Sequence, residues 1–322
     1  MTITPGFTGS PLDRIETARH DEEELTALID DPRALRLILT DYVPTATDGV
    51  LGWAPLGDIA RNELLLLGLI DGIPRFVHLD PKAAAARRTP ELFALLGELP
   101  YSEAATYAAA RSLLDWHSRH RFCANCGTMT NVFRAGWARL CPNCKTEHFP
   151  RTDPVVIMLA EHGEGADKKV LIGRQPGFPQ GRFSALAGFV ELGESFAEAV
   201  ARELHEEAGV VATDVRYIAS QPWPFPSQLM IACVAKVADD ALTIDTAELE
   251  EAKWVTRADV AAAMAGDPSA PFLPPPHYAI AHTLFKAWLA ENEDPPGTGR
   301  IYITPRRPVR SHSRRGARSS LR

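Results

Sequence analysis

Apolar residues gather in short runs through the first third of the chain, at residues 35–39, 64–70 and 76–79, with Gly and Pro between them. Runs of that length bounded by turn residues predict strands, and the first 118 residues read as a small α+β unit. The period then changes. Tyr107, Ala110, Leu113, Leu114 and His117 recur at helical spacing and predict a helix over 101–121. From 151 to 292, strand and helix patterns alternate. PVVIMLA and KVLIGRQ predict a hairpin around a loop at 162–169, FSALAGFVEL predicts a further strand, and others fit 215–219, 229–237 and 253–255. A last helix fits 278–290. ESFAEAVARELHEEAG predicts a helix between them, opened by the capping pair Ser195 and Glu198 and closed by Gly209. Past residue 292 the patterning stops. Pro, Gly and Ser abound, and from Arg300 onward there are eight Arg and no acidic residue. That composition predicts a disordered tail over 293–322, either a solubilising extension or an arm that touches RNA phosphates.

Composition narrows the picture. The chain has 322 residues, enough for two or three domains. A net charge of −7 argues against a general nucleic-acid coat protein. It leaves small anionic substrates open, because a bound metal inverts the local field. No run approaches 18 apolar residues, and the polar, acidic N-terminus lacks the apolar core of a signal peptide. A cytoplasmic protein without membrane contact is expected.

Four of the five cysteines form two CxxC pairs, Cys123 with Cys126 and Cys141 with Cys144. Each pair lets two thiolates grip one ion from a tight turn, and two such turns close a tetrahedral site. A closed four-sulfur site leaves no position for water, so one structural Zn²⁺ per chain is expected over a ribbon at 119–150. Cys233 lies in an apolar strand pattern and reads as core.

A second cluster is made of carboxylates. Gly188 is followed after five residues by Glu194, and after seven more by Arg202-Glu203-Leu204-His205-Glu206-Glu207-Ala208-Gly209. Glu203, Glu206 and Glu207 share one helical face, where like charges destabilise the helix. A divalent cation offsets that cost, and hard oxygen ligands favour Mg²⁺ or Mn²⁺. Ala197, Val200, Ala201, Leu204 and Ala208 offer a neighbouring face for packing on a sheet, and Glu194 and Arg202 are placed for a buried pair. Seven specified residues would match by chance on the order of 10⁻⁹ per start position, which sets aside a merely solvated acidic face.

The third feature is Ser220-Gln221-Pro222-Trp223-Pro224-Phe225-Pro226, followed by Ser227 and Gln228. Three prolines stiffen the backbone, so it loses little entropy on holding a ligand, and the aromatic rings offer stacking faces.

The carboxylate segment resembles the Nudix box, and the proline-rich segment resembles the second signature of NADH pyrophosphatases within that superfamily. The resemblance extends to the four-Cys ribbon and WHSRHRFCANCG, to ELEEAKW, and to LPPPHYAIAHTLF, covering residues 101–290. It implies an α/β/α sandwich around a mixed sheet, preceded by the ribbon. It implies hydrolysis of the pyrophosphate bond of NAD(H) to NMN(H) and AMP, removal of NAD caps from RNA 5′ ends, and a homodimer with a shared site. It places Glu203, Glu207 and Glu248 on the catalytic Mg²⁺ or Mn²⁺, with Glu206 assisting. It places Ala187, Ala281 and residues 221–228 around the dinucleotide, with Phe189 stacking on a base and Phe149 beside it. Gln228 stands where the motif has Ser, and Phe149 keeps an aromatic ring without a hydroxyl. Two rival readings differ in chemistry: a broad Nudix hydrolase of ADP-ribose or dinucleoside polyphosphates, and a nucleotide-sensing regulator without catalysis. The intact glutamate set speaks against the second.

Overall fold

A computed structural model describes residues 3–80 and 88–291, with the backbone of Arg300–Tyr302. The strand Asp153–His162 is the axis of the largest sheet. It pairs in parallel with Gln228–Val237 along nine rungs and antiparallel with Leu186–Phe189 and Lys169–Arg174. The sheet runs in the order Glu251–Thr256, Lys169–Arg174, Asp153–His162, Gln228–Val237, Ala212–Trp223, Arg300–Tyr302. Both faces of the axis are covered, which explains its unbroken apolar run. Val156, Met158 and Ala160 face the helix Phe196–Ala208, while Ile157 and Leu159 face the helices Arg257–Met264 and Ile280–Ala290. The period of two thus splits one strand between two cores and builds the expected α/β/α sandwich.

The first part of the chain forms a four-stranded sheet in the order Trp53–Pro55, Leu35–Leu37, Ile73–His78, Leu64–Ile70. The helices Pro90–Glu98 and Tyr101–Arg119 pack with it. Phe225 and Tyr278, far along the sequence, are buried in the same cluster as Phe7, Leu92 and Tyr107. This core is therefore completed from the C-terminal half.

Two expectations are corrected, and one further helix is found. The strand expected at 215–219 runs over Ala212–Trp223, so Ser220–Trp223 also belong to the sheet. Pairing with Gln228–Val237 overrides the turn tendency of Pro222, which stands opposite Leu229, while Pro224 falls beyond the strand end. Within the tail expected to be disordered, Arg300–Tyr302 form an edge strand on Asp214–Arg216. Residues 293–299 and 303–322, under the same expectation, lie outside the described residues. Arg257–Met264 is a helix that the hydrophobic pattern does not announce, although Thr256 and Asp259 form its capping box. Among the described residues, no helix is long and apolar enough to cross a membrane.

Candidate active site and zinc ribbon

The helix Phe196–Ala208 carries the first two carboxylates. Ser195 and Glu198 form the reciprocal capping box, and Gly209 ends the helix at φ 74° with its N–H on the His205 carbonyl. A side chain at Gly209 would also strike Thr243. Glu203 and Glu207 are buried, 8% and 3% exposed. Glu248 comes from the segment before the strand Glu251–Thr256. Two backbone bonds pin that segment to the helix end, Asp245 N–H to Glu207 O at 2.9 Å and Thr243 N–H to Ala208 O at 2.9 Å. One oxygen each from Glu203, Glu207 and Glu248 then lies within 4.8 Å of the others. Gly188 explains how Glu203 fits: a Cβ there would sit 1.9 Å from the Glu203 carboxyl carbon.

Arg202 organises the cluster. Its Nε and Nη2 donate to both oxygens of Glu194 at 2.7 and 2.9 Å, Nη1 donates to Glu203 and Glu206 at 2.9 and 3.0 Å, and Nη2 also reaches the Phe189 carbonyl. The Arg202–Glu194 pair is about one-fifth exposed, where burial was expected. The helix edge leaves both side chains in contact with water. Glu206 shares the helical face in sequence but turns outward to Arg202, with its side chain 59% exposed, and stays outside the three-carboxylate cluster. Burial and the charges of Glu203 and Glu248 push the Glu207 carboxyl up to about 8. Burial likewise raises Glu203, against the pull of Arg202. Oxygen donors that repel one another in a buried place fit a hard divalent cation.

A cleft of about 400 Å³ opens beside Glu207. Val155, Phe189 and Met230 lie on one row across three strands, and the next row holds Ile157 and Ala187. Trp223 and Gln228, the last rung of their ladder, form another wall, and Ala281 closes it from the final helix. Phe189 is 55% exposed, so its ring face is open.

The remaining predicted residues lie elsewhere. Gln221 is fully buried and donates to the Tyr278 carbonyl at 2.8 Å. Phe225 is 1% exposed within the N-terminal core, and Pro224 is buried with its carbonyl on Arg111. Pro222 and Ser227 line a second cavity of about 510 Å³ on the other side of Trp223. Pro226 is exposed and lines neither cavity, and Phe149 is exposed under the guanidinium of Arg134, at 5.2 Å, also outside both. The aromatic-proline segment thus divides its residues between cleft and core, which composition could not separate. Sequence reasoning missed Met230 and Arg88 in the cleft wall. Alternation from Gln228 would have found Met230. Arg88 carries no motif.

The four cysteines meet as expected. Cys123 Sγ lies 3.6 Å from Cys144 Sγ and Cys126 Sγ lies 3.5 Å from Cys141 Sγ, close to the roughly 3.8 Å edge of a zinc–thiolate tetrahedron. Two matching turns present them: Gly127 N–H bonds Cys123 O and Lys145 N–H bonds Cys141 O, with Gly127 and Lys145 both at positive φ. The Thr146 hydroxyl and N–H lower the Cys144 thiol to about 5, and hydrogen bonds from Thr128 lower Cys126. Burial pushes the Cys123 thiol the other way, up to about 11, so two of the four are tuned toward thiolate, and it is the four-sulfur set that suits a structural Zn²⁺. Cys233 is buried in the sheet, its thiol pushed up to about 12 by burial.

Residues 150–274 match the model of the NUDIX domain, and residues 118–149 match that of the NADH pyrophosphatase zinc ribbon domain. A relative in Mycobacterium bovis, "NAD-capped RNA hydrolase NudC", is 38% identical, and the match covers 86% of this chain and 92% of that one. The chain belongs to the Nudix family, in the branch that carries this ribbon. The human protein "NAD-capped RNA hydrolase NUDT12" is 44% identical over 81% of this chain and 58% of its own length. The chain therefore spans little more than half of that relative.

Proposed function

We propose that this Nudix protein hydrolyses the pyrophosphate of NAD(H), with water, to NMN(H) and AMP, and removes NAD caps from RNA 5′ ends. The observation that carries this reading is the gathering of Glu203, Glu207 and Glu248 beside a cleft whose walls combine aromatic and apolar side chains with Arg88 and Gln228. A Mg²⁺ or Mn²⁺ ion held by these three would neutralise the pyrophosphate and lower the pKa of an attacking water. The protein's own part is to hold the carboxylates in place. Arg202 orients Glu203 and Glu206, and Gly188 gives Glu203 its room. Phe189 offers a ring face to a base, and Trp223, Gln228, Ala187 and Ala281 shape the rest of the pocket. The names of the two relatives agree with this substrate class.

A homodimer with a shared site belongs to the same proposal. Its support is Phe149: a ring assigned to the substrate is exposed and lines neither of the two cavities described above, which leaves it open to a second copy. The zinc–thiolate ribbon suits a reducing compartment, which supports a cytoplasmic location. The deciding experiment incubates the purified protein with NADH, ADP-ribose and a dinucleoside polyphosphate and separates the products. AMP and NMNH as the dominant products are expected. Equal turnover of ADP-ribose would replace this reading with a broad pyrophosphohydrolase.

A further inference from the structure

Three successive carbonyls of the aromatic-proline segment are held from the N-terminal part of the chain. Arg111 Nε donates to Pro224 O at 3.0 Å, Arg88 donates to Phe225 O, and Ser112 Oγ donates to Pro226 O at 3.1 Å. Pro224 and Pro226 have no N–H, so the sheet cannot anchor these residues through donors, and their carbonyls are what remains to be held. Trp223 and Gln228 form the last rung before this turn, and both line the cleft. Their side chains therefore sit where the ladder stops stiffening the backbone.

Arg111 is the anchor with the deepest seat. It is 2% exposed, and its guanidinium lies 4.9 Å from the centroid of the Phe225 ring. Its Nη1 donates to the Tyr107 hydroxyl at 3.2 Å, which donates in turn to the Tyr42 carbonyl at 2.6 Å. Residues 107 and 111 are one helical turn apart on Tyr101–Arg119, so the grip on Pro224 is continuous with the N-terminal core. Arg111 is absent from the cleft lining.

We infer that Arg111 is a positioning residue for substrate recognition: held by the N-terminal core, it sets the turn between Trp223 and Gln228 and with it the cleft wall that receives the nicotinamide ring. This rests on the proposed dinucleotide reading. It assigns the N-terminal part of the chain a share in specificity without contact with the substrate.

NADH and ADP-ribose separate this role from general damage. Both carry the same pyrophosphate and adenosine, and only NADH has the nicotinamide ring. Arg111→Met should raise KM for NADH about tenfold, as expected for misplacing one well-made contact, with kcat within about twofold. For ADP-ribose, kcat/KM should change less than about threefold. Ser112→Ala, a milder cut at a partly exposed site, should move the same ratio the same way by about threefold. If Arg111→Met does not fold, Arg111→Lys and Ser112→Ala carry the test. Equal losses on both substrates, or an unchanged NADH KM in folded variants, would overturn the proposal. Wild-type turnover is measured alongside, so a failed substrate reading is recognised separately. In that event, a ¹⁹F resonance of 5-fluorotryptophan at Trp223, assigned with Trp223→Phe, decides the matter. It should shift in the Arg111 variants, and an unmoved resonance refutes the positioning.

Discussion

At the scale of single residues, Glu207 does the most with the least exposure. Its carboxyl, raised to about 8, holds a proton in the metal-free fold over a range where the unfolded chain has lost it. A raised carboxylate pKa makes the folded state the better proton binder, so stability is present below the ordinary carboxylate value and is lost as pH rises through about 8. Thermal melts without magnesium should fall across that window, added Mg²⁺ or Mn²⁺ should restore them, and Glu207→Gln should flatten the curve. A melt unaffected by pH would contradict the burial of that charge. The same variant should lose turnover at least about 100-fold while still folding, since the amide keeps the shape without the charge. Phe189→Ala tests the open ring face. Base–aromatic stacking of about 1–3 kcal/mol predicts a tenfold to hundredfold loss of kcat/KM on NADH and much less on ADP-ribose.

At the scale of elements, the ribbon and the helix Tyr101–Arg119 act as one piece. His117 Nε2 lies 2.7 Å from the Gly136 carbonyl and Arg139 Nη1 lies 2.9 Å from His117 Nδ1. Burial lowers the imidazole to about 4, so the neutral ring donates from Nε2 and accepts at Nδ1. Arg139 also holds Thr130, and Trp137 donates to the Leu66 carbonyl of the N-terminal sheet. Cys141→Ser should release about one zinc per chain and lower the melting temperature, because zinc binding in such small units is folding free energy. Purified protein lacking zinc under reducing, chelator-free conditions would contradict the ribbon. The CxxC spacing made this site legible, since two tight turns and four soft donors have few other uses. The docking of the ribbon was not legible: it depends on His117, Arg139 and Trp137, whose partners reach them only after folding.

For the whole molecule, the tail separates two contributions. Removal of residues 303–322 should leave hydrolysis of free NADH unchanged. If its seven arginines reach RNA phosphates, cleavage of capped RNA should weaken and its salt dependence flatten. Removal from Arg300 onward also strips the edge strand from Asp214–Arg216, and should lower the melting temperature by about 2–4 °C if that edge contributes about 1 kcal/mol. Equal melting of both truncations would show that the edge strand adds nothing. By itself the sequence determined whatever local spacing controls. It set the alternating strands and helices through periods of two and 3.6, the glutamate helix with both caps, and the two thiolate turns, because each depends on residues within a few positions of one another. Tertiary structure decided the rest. It brought Glu248 to Glu203 and Glu207, turned Glu206 away, and divided the aromatic-proline segment between the cleft and a distant core. These outcomes depend on which surfaces meet across the chain. A Phe that fills a core and a Phe that faces a ligand have the same composition, and only the packing around Phe225 and Phe189 tells them apart.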